Sequence, residues 1–211
     1  QRLREIADEY NVVLIADEVI TAFGRTGKYF ATDHWDMMPD ITTVAKSLTS
    51  GYSPLGAAIA TKKISDSFIG TEKEMFLHLI TFGGHPASCA AGLKNLEIYE
   101  REKLVENSKN MGEYLLNKLE ALKSSKIVGD VRGLGLLAAI ELVSDKNTKE
   151  KLPFSLEIQK KIPKYLNDSN IFTFRAGDII SLCPPLNINK DEIDFLVEGL
   201  ASTIHKLEKE T

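Results

Sequence analysis

An α/β fold with parallel strands is what this chain predicts, and two short apolar runs carry most of that expectation. Val12 to Ala16 and Ile41 to Ala45 each have the length of a strand buried on both faces, and each leads into a charged residue, Asp17 and Lys46. The third observation is a helix-patterned segment ahead of them, with Leu3, Ile6, Ala7 and Tyr10 on one face, so helix and strand alternate from the start. In an open α/β sheet, ligands collect beyond the carboxyl ends of the parallel strands, which brings the Asp17 carboxylate and the Lys46 amine to one crevice.

Composition sets the bounds. The 211 residues are 43% apolar and 27% charged, the balance of an ordinary globular protein. A formal net charge of −4 and a pI near 5.7 argue against a general affinity for nucleic acid or anionic membrane. No apolar run approaches the length needed to cross a bilayer. Cys89 and Cys183 sit among small or apolar neighbours and read as buried free thiols, which favours a reducing, cytoplasmic setting. The first residues, QRLREIADEY, are charged and helix-patterned rather than signal-like, and they suggest the carboxyl half of a longer protein.

In chain order, Leu3 to Tyr10 reads as the end of a helix stopped at Asn11, before the first strand. The loop Phe23 to Gly27, FGRTG, has glycines on both sides of Arg25 and Thr26 and so turns tightly; Arg25 reads as structural. Lys28 to Asp40 shows no clear period and reads as an irregular surface connection, with His34 lacking His or Cys partners at metal-ligand spacing. After Lys46, TSGYSPLG (Thr49 to Gly56) is a turn cluster, Ala57 to Ala60 a short strand and Ile64 to Phe68 a helical stretch. Pro86 suits the first turn of a helix over Ala87 to Glu102, with Ala90, Leu93, Leu96 and Tyr99 as its apolar stripe and His85 at its entry.

A second helix follows, striped by Met111, Leu115, Leu119 and Leu122, and a domain boundary falls near residues 100 to 105. RGLGLLAAIEL reads as a glycine-marked turn and then a strand; Gly133 and Gly135 are no dinucleotide fingerprint, because no GxGxxG opens a helix there. Lys146 to Lys151 is a charged surface loop, and Leu156 to Leu166 a helix with Ile158, Ile162 and Tyr165 spaced for burial. In IFTFRAGDIISLCPPLNI, Arg175 follows alternating apolar positions and precedes a Gly-Asp turn. It can hold a carboxylate by two parallel hydrogen bonds, or pair with Asp178. The chain closes in a helix started by a capping-box pair, Asn189 and Glu192, and striped by Ile193, Leu196, Val197, Leu200, Ile204 and Leu207.

An acid and an amine so placed suit pyridoxal 5'-phosphate. That cofactor needs a lysine to form a Schiff base with its aldehyde, and an anion against its pyridine nitrogen. Lys46 and Asp17 are the candidates, although an Asp-Glu after a strand also often caps the next helix. A lysine held among apolar and small residues loses hydration of its ammonium, which frees the amine for this work.

ADEVITAFGRTG followed by AKSLTSGYSPLGA resembles the core of class III (omega-type) aminotransferases. The resemblance continues through TFGGHP, RGLGLL and RAGD…PPL and covers most of the chain. It implies the aspartate aminotransferase-like fold, PLP-dependent fold type I: a large domain with a mostly parallel sheet, of which residues 1–103 are the carboxyl part, and a smaller α+β domain over residues 104–211. It further implies that Lys46 forms the imine and carries the proton, and that Asp17 partners the ring nitrogen. Val19 then packs on a ring face, unless it is simple core. Thr81 reaches the phosphate bound by the neighbouring subunit, unless it merely ends a strand. Arg175 clamps the substrate carboxylate.

The implied reaction moves an amino group from a primary amine or omega-amino acid to a 2-oxo acid such as pyruvate, in a homodimer with a shared active site. Ser47 stands where glycine is usual after the lysine, Ala22 where glycine often precedes FGRTG, and Leu79 where a small residue is common, which bears on substrate scope. The rival readings are another enzyme of the same fold, an aminomutase, racemase or decarboxylase, and an inactive fragment or scaffold.

Overall fold

A computed structural model describes the backbone of residues 1–152 and 156–210 and the side chains of residues 1–152 and 160–210. The chain divides into two compact units, Gln1–Val105 and Glu106–Thr211.

In the first unit, helix α1 (Arg2–Glu9) stops where Asn11 takes φ 50°, a left-handed conformation that Asn tolerates better than most residues. Strands β1 (Ile15–Asp17), β2 (Ile41–Val44) and β3 (Ala57–Ala60) form one sheet in that order. β1 and β2 run parallel, with Ile15 opposite Ile41 and Asp17 opposite Thr43; β3 is antiparallel to β2. The sheet of this unit is therefore mixed.

The first strand begins later than the apolar run does. The Val12 N–H is taken by the Ala7 carbonyl at the end of α1, while Leu14 is held by Asp40: its N–H donates to Oδ2 at 2.8 Å and its carbonyl accepts from the Asp40 and Ile41 N–H groups. Since β2 starts at Ile41, the ladder can start only at Ile15, and Val12 and Val13 lie exposed before it. Nor are the strands buried on both faces. Ile15, Ile59 and all of β3 are exposed among the described residues.

After the short helix α2 (Lys62–Asp66), helix α3 (Pro86–Arg101) starts at the proline as expected, with the His85 ring accepting from the Ser88 N–H. Its inward face follows the expected apolar stripe at Tyr99 but not at Ala90 or Leu93. Ser88, Gly92 and Tyr99 are buried, whereas Ala90 and Leu93 are exposed. The helix packs against backbone, so small and polar residues face inward in place of alanine and leucine.

The second unit holds an antiparallel sheet in the order β4 (Val128–Leu134), β5 (Leu137–Asp145), β8 (Ile179–Leu182), β7 (Arg175–Ala176), with β6 (Glu150–Lys151) paired to the end of β5. The glycine-marked turn is the β4–β5 connection, with Gly135 at φ 58°. Gly133 has no room for a side chain: a Cβ there would lie 2.6 Å from the Leu137 carbonyl oxygen. Part of the expected charged loop 146–151 is thus β6.

Helices α4 (Leu104–Glu120), α5 (Leu156–Asp168) and α6 (Lys190–Glu208) complete the chain. Leu115, Ile140, Ile162, Ile180 and Leu200 are wholly buried in this unit. The Asn189–Glu192 capping box forms, at 3.0 and 2.9 Å. Ile162 is buried and Tyr165 half-buried; the Ile158 side chain lies outside the described residues. The thiols are not buried as expected: Cys89 is half-buried and Cys183 exposed, where the chain leaves β8 for Pro184 and Pro185. Among the described residues, no helix is long and apolar enough to cross a membrane.

Candidate active site

The site is built at the carboxyl ends of β1 and β2. Successive side chains of an extended chain point to opposite sides, and Asp17 and Glu18 divide in that way. Asp17 is exposed. Its Oδ1 accepts from the Val19 N–H at 3.1 Å and from the Thr43 hydroxyl at 3.0 Å, its neighbour across the ladder. Oδ2 has no hydrogen-bond partner among the described residues. One oxygen is thus fixed by two donors and the other is available to a ligand.

Glu18 faces inward and is 2% exposed. Its carboxylate accepts from the Thr21 hydroxyl at 2.5 Å and from the N–H groups of Ala31 and Thr32, each at 2.9 Å. It ties the end of β1 to the 3-10 turn Ala31–Trp35, which supplies order within a segment read from sequence as irregular. His34 joins the same connection, its Nε2 lying 3.0 Å from the Thr26 carbonyl oxygen. Reading the chain by motif passes over Glu18; the signal for it is the alternation itself, since an outward Asp17 requires the next side chain to turn in.

β2 ends at the buried Val44, and Lys46 follows with φ 32°. A non-glycine residue with left-handed backbone is uncommon, and such positions gather at functional sites. The lysine opens a single 3-10 turn, Lys46–Leu48. Its side chain is exposed in this chain, so the desolvation expected of it is not supplied by the described residues. Its ammonium has no ion pair or hydrogen bond among them.

The parallel pairing of β1 and β2 therefore places Asp17 and Lys46 at the same end of adjacent strands. Val19 is half-buried two residues past Asp17. Thr81 is exposed in the turn before α3, where Gly84 takes φ 65°; its hydroxyl makes no hydrogen bond to Asp17 or Lys46 among the described residues. Before it, Leu77, Leu79 and Ile80 are all exposed, Leu79 at 97%. Arg175 lies in the second unit, half-buried on the β7–β8 hairpin, where its guanidinium donates to the Gly177 carbonyl. A hollow of about 580 Å³ on the first unit, lined by Phe30, Met38, Thr42 and Ile59 among others, includes neither Asp17 nor Lys46. This hollow thus lies apart from the candidate residues Asp17 and Lys46.

Among the described residues, a carboxylate with one open oxygen and an amine without a partner on left-handed backbone stand at the ends of paired strands, and they fit a pyridine nitrogen and an aldehyde; the Thr81 hydroxyl, exposed ahead of α3, is of the type that donates to a phosphate. The class defined is an α/β protein with an acid and a lysine at adjacent parallel strand ends. Residues 1–204 match the family model of class-III aminotransferases, and the chain belongs to that family.

It is 40% identical to the adenosylmethionine-8-amino-7-oxononanoate aminotransferase of Geobacter sulfurreducens, over 96% of this chain and 45% of that protein. To the taurine–pyruvate aminotransferase of Bilophila wadsworthia it is 37% identical, over 99% of this chain and 48% of that one. The crystal structure of an amine transaminase from an uncultivated Pseudomonas species, in its PLP-bound form, superposes with a TM-score of 0.93 at 37% identity, covering 98% of this chain and 47% of that one. The chain spans about half the length of the curated relatives it matches.

Proposed function

We propose that the protein carrying this chain is a pyridoxal 5'-phosphate-dependent aminotransferase. It would move an amino group from a primary amine or omega-amino acid to a 2-oxo acid such as pyruvate. The observation that carries this reading is the joint placement of Asp17, with one oxygen held and one open, and Lys46, on left-handed backbone, at the ends of paired parallel strands. The PLP-bound structural neighbour supports the cofactor, and the taurine–pyruvate relative supports the acceptor.

When bound, the cofactor supplies an electron sink for the pair released as a substrate bond breaks beside its nitrogen. The chain's own residues do the rest. Asp17 would hold the proton of the ring nitrogen, its carboxylate kept in place by the Thr43 hydroxyl and the Val19 N–H. The Lys46 amine would hold the cofactor through its aldehyde and, as a free amine, would hold and move a proton at its nitrogen. Val19 offers a branched apolar surface to one ring face. Thr81 donates its hydroxyl to the phosphate bound by a neighbouring subunit, which makes the working form a homodimer. The Arg175 fork holds the carboxylate of the 2-oxo acid.

In this reading residues 1–103 belong to the large cofactor-binding domain and residues 104–211 form the smaller one, and the enzyme works in the cytoplasm. The test follows alanine formation from pyruvate and a panel of primary amines by the full-length protein. The wild type is expected to turn over, Lys46→Ala to be inactive, and Arg175→Ala to need a higher pyruvate concentration. Equal turnover by wild type and Lys46→Ala would defeat the proposal.

A further inference from the structure

Helix α3 grips the turn that carries Lys46. Asn95 projects from the helix onto it, with Nδ2 donating to the Ser47 carbonyl at 2.8 Å and the Leu48 carbonyl at 3.1 Å. Its Oδ1 accepts from the Ser50 hydroxyl at 2.9 Å. The orientation of this amide is dictated by its partners, because two carbonyls can only accept and must face the NH2 group. One turn along, the buried Tyr99 places its hydroxyl 3.4 Å from the same Ser47 carbonyl. One turn back, Gly92 lets the helix approach: a Cβ there would meet the Leu55 side chain at 3.0 Å and lie 3.7 Å from the Leu48 carbonyl oxygen. Further back still, the hydroxyl of the buried Ser88 pairs with that of Ser53 at 2.8 Å.

These contacts converge on a segment with an unusual backbone. Lys46 has φ 32°, Ser50 φ 51° and Gly51 φ 80°. A non-glycine residue holds such a conformation only where its surroundings over-determine it. Nothing in the lysine itself selects it, and the 3-10 turn that Lys46 opens is three residues long. The carbonyls of Ser47 and Leu48 belong to the second and third peptide units after the lysine, while the Lys46 carbonyl of the first accepts from the Thr49 N–H at 3.3 Å, so Asn95 holds the turn that Lys46 opens from its far side. Asn95, half-buried, lies on the same side of α3 as the buried Ser88, Gly92 and Tyr99.

We propose that Asn95 is a positioning residue for the catalytic lysine: by holding the Ser47 and Leu48 carbonyls it keeps Lys46 on left-handed backbone, with its amine presented to the cofactor aldehyde. The inference rests on the reading of Lys46 as the attachment point. Asn95 acts only through Lys46. Binding of a cofactor form that cannot link to lysine is therefore independent of it, whereas the rate of covalent attachment depends on it.

The experiment uses the full-length protein stripped of cofactor, as wild type, Asn95→Asp, Asn95→Ala, Ser50→Ala and Lys46→Ala. Asn95→Asp is nearly isosteric but turns both donations into oxygen facing oxygen; Asn95→Ala removes them without that repulsion. Two quantities are read: the affinity for pyridoxamine 5'-phosphate, which has no aldehyde, and the rate at which pyridoxal 5'-phosphate becomes fixable to the protein by borohydride. Both Asn95 variants should bind pyridoxamine phosphate as the wild type does, yet attach pyridoxal phosphate roughly 10- to 100-fold more slowly, the scale expected for a misplaced reacting group. Ser50→Ala, which leaves both donations intact, should attach it at the wild-type rate.

Attachment at the wild-type rate in both Asn95 variants would overturn the proposal. So would a parallel loss of pyridoxamine phosphate binding, since Asn95 would then be holding the site together rather than the lysine. Lys46→Ala separates the two levels. Undiminished fixation in that variant would remove the reading of Lys46 itself, and this inference with it. Fixation abolished there but normal in the Asn95 variants would overturn the positioning role alone.

Discussion

Replacing Glu18 tests how the end of β1 is held. Its carboxylate is 2% exposed and takes three donors, two of them the backbone N–H groups of Ala31 and Thr32 at 2.9 Å. Glu18→Ala leaves a buried donor at Thr32 and a part-buried one at Ala31 without an acceptor, at about 1–3 kcal/mol each, and removes the buried side chain as well. The expected loss is about 3 kcal/mol. Glu18→Gln retains one oxygen but turns an NH2 group toward a remaining N–H, so about 2 kcal/mol should be lost. Urea denaturation of the full-length protein measures the totals, and hydrogen exchange at Ala31 and Thr32 locates them, with protection of these two amides falling first. If both variants kept stability within about 0.5 kcal/mol of the wild type, the range of a neutral surface change, the buried-acceptor argument would be wrong.

Two further outcomes follow from the packing and the charges. In α4, a Cβ on Gly112 would sit 2.3 Å from the carbonyl carbon of Gly135 and 2.4 Å from its oxygen. Gly112→Ala should therefore destabilise by about 1–3 kcal/mol in a urea melt, although alanine is the better helix former by about 1 kcal/mol; a gain in stability would refute the close approach. The Asp40 carboxyl is held below the usual carboxylate range, first by the Leu14 N–H and then by Arg4. A lowered folded value means stability that is complete above the ordinary carboxylate range and is lost as pH falls through the folded value. Asp40→Asn should accordingly flatten the fall of the thermal midpoint below about pH 4. An unchanged acid limb would show that Asp40 is not a source of that fall.

Much of this architecture is legible in the sequence where local rules and tertiary demands agree. The last helix is the clearest case: Asn189 and Glu192 cap each other, and Ile193, Leu200, Ile204 and Leu207 are buried as their spacing predicts. Helix α3 shows the opposite. Its start at Pro86 follows from proline chemistry and Tyr99 is buried as its spacing predicts, but the rest of the apolar stripe misleads, because the helix rests on the carbonyls behind Lys46 and so buries Ser88 and Gly92 while Leu93 stays exposed. The late start of β1 depends on Asp40 capturing Leu14 from 26 positions away, which no local pattern announces. At the site, Asp17 and Lys46 stand out because charges at the ends of apolar runs are visible in one dimension. Glu18 and Asn95 do not, because most of their partners are backbone groups whose positions exist only after folding.

The claim on which the rest depends is that Lys46 attaches the cofactor with Asp17 as its electronic partner. The most direct measurement is borohydride reduction of the full-length protein with pyridoxal 5'-phosphate, followed by peptide mapping of the modified lysine, for wild type and Asp17→Asn. We expect the label on Lys46 in the wild type, and weaker retention of the cofactor without the Asp17 carboxylate. Label on another lysine, or an Asp17→Asn protein indistinguishable from the wild type, would contradict the assignment of the site.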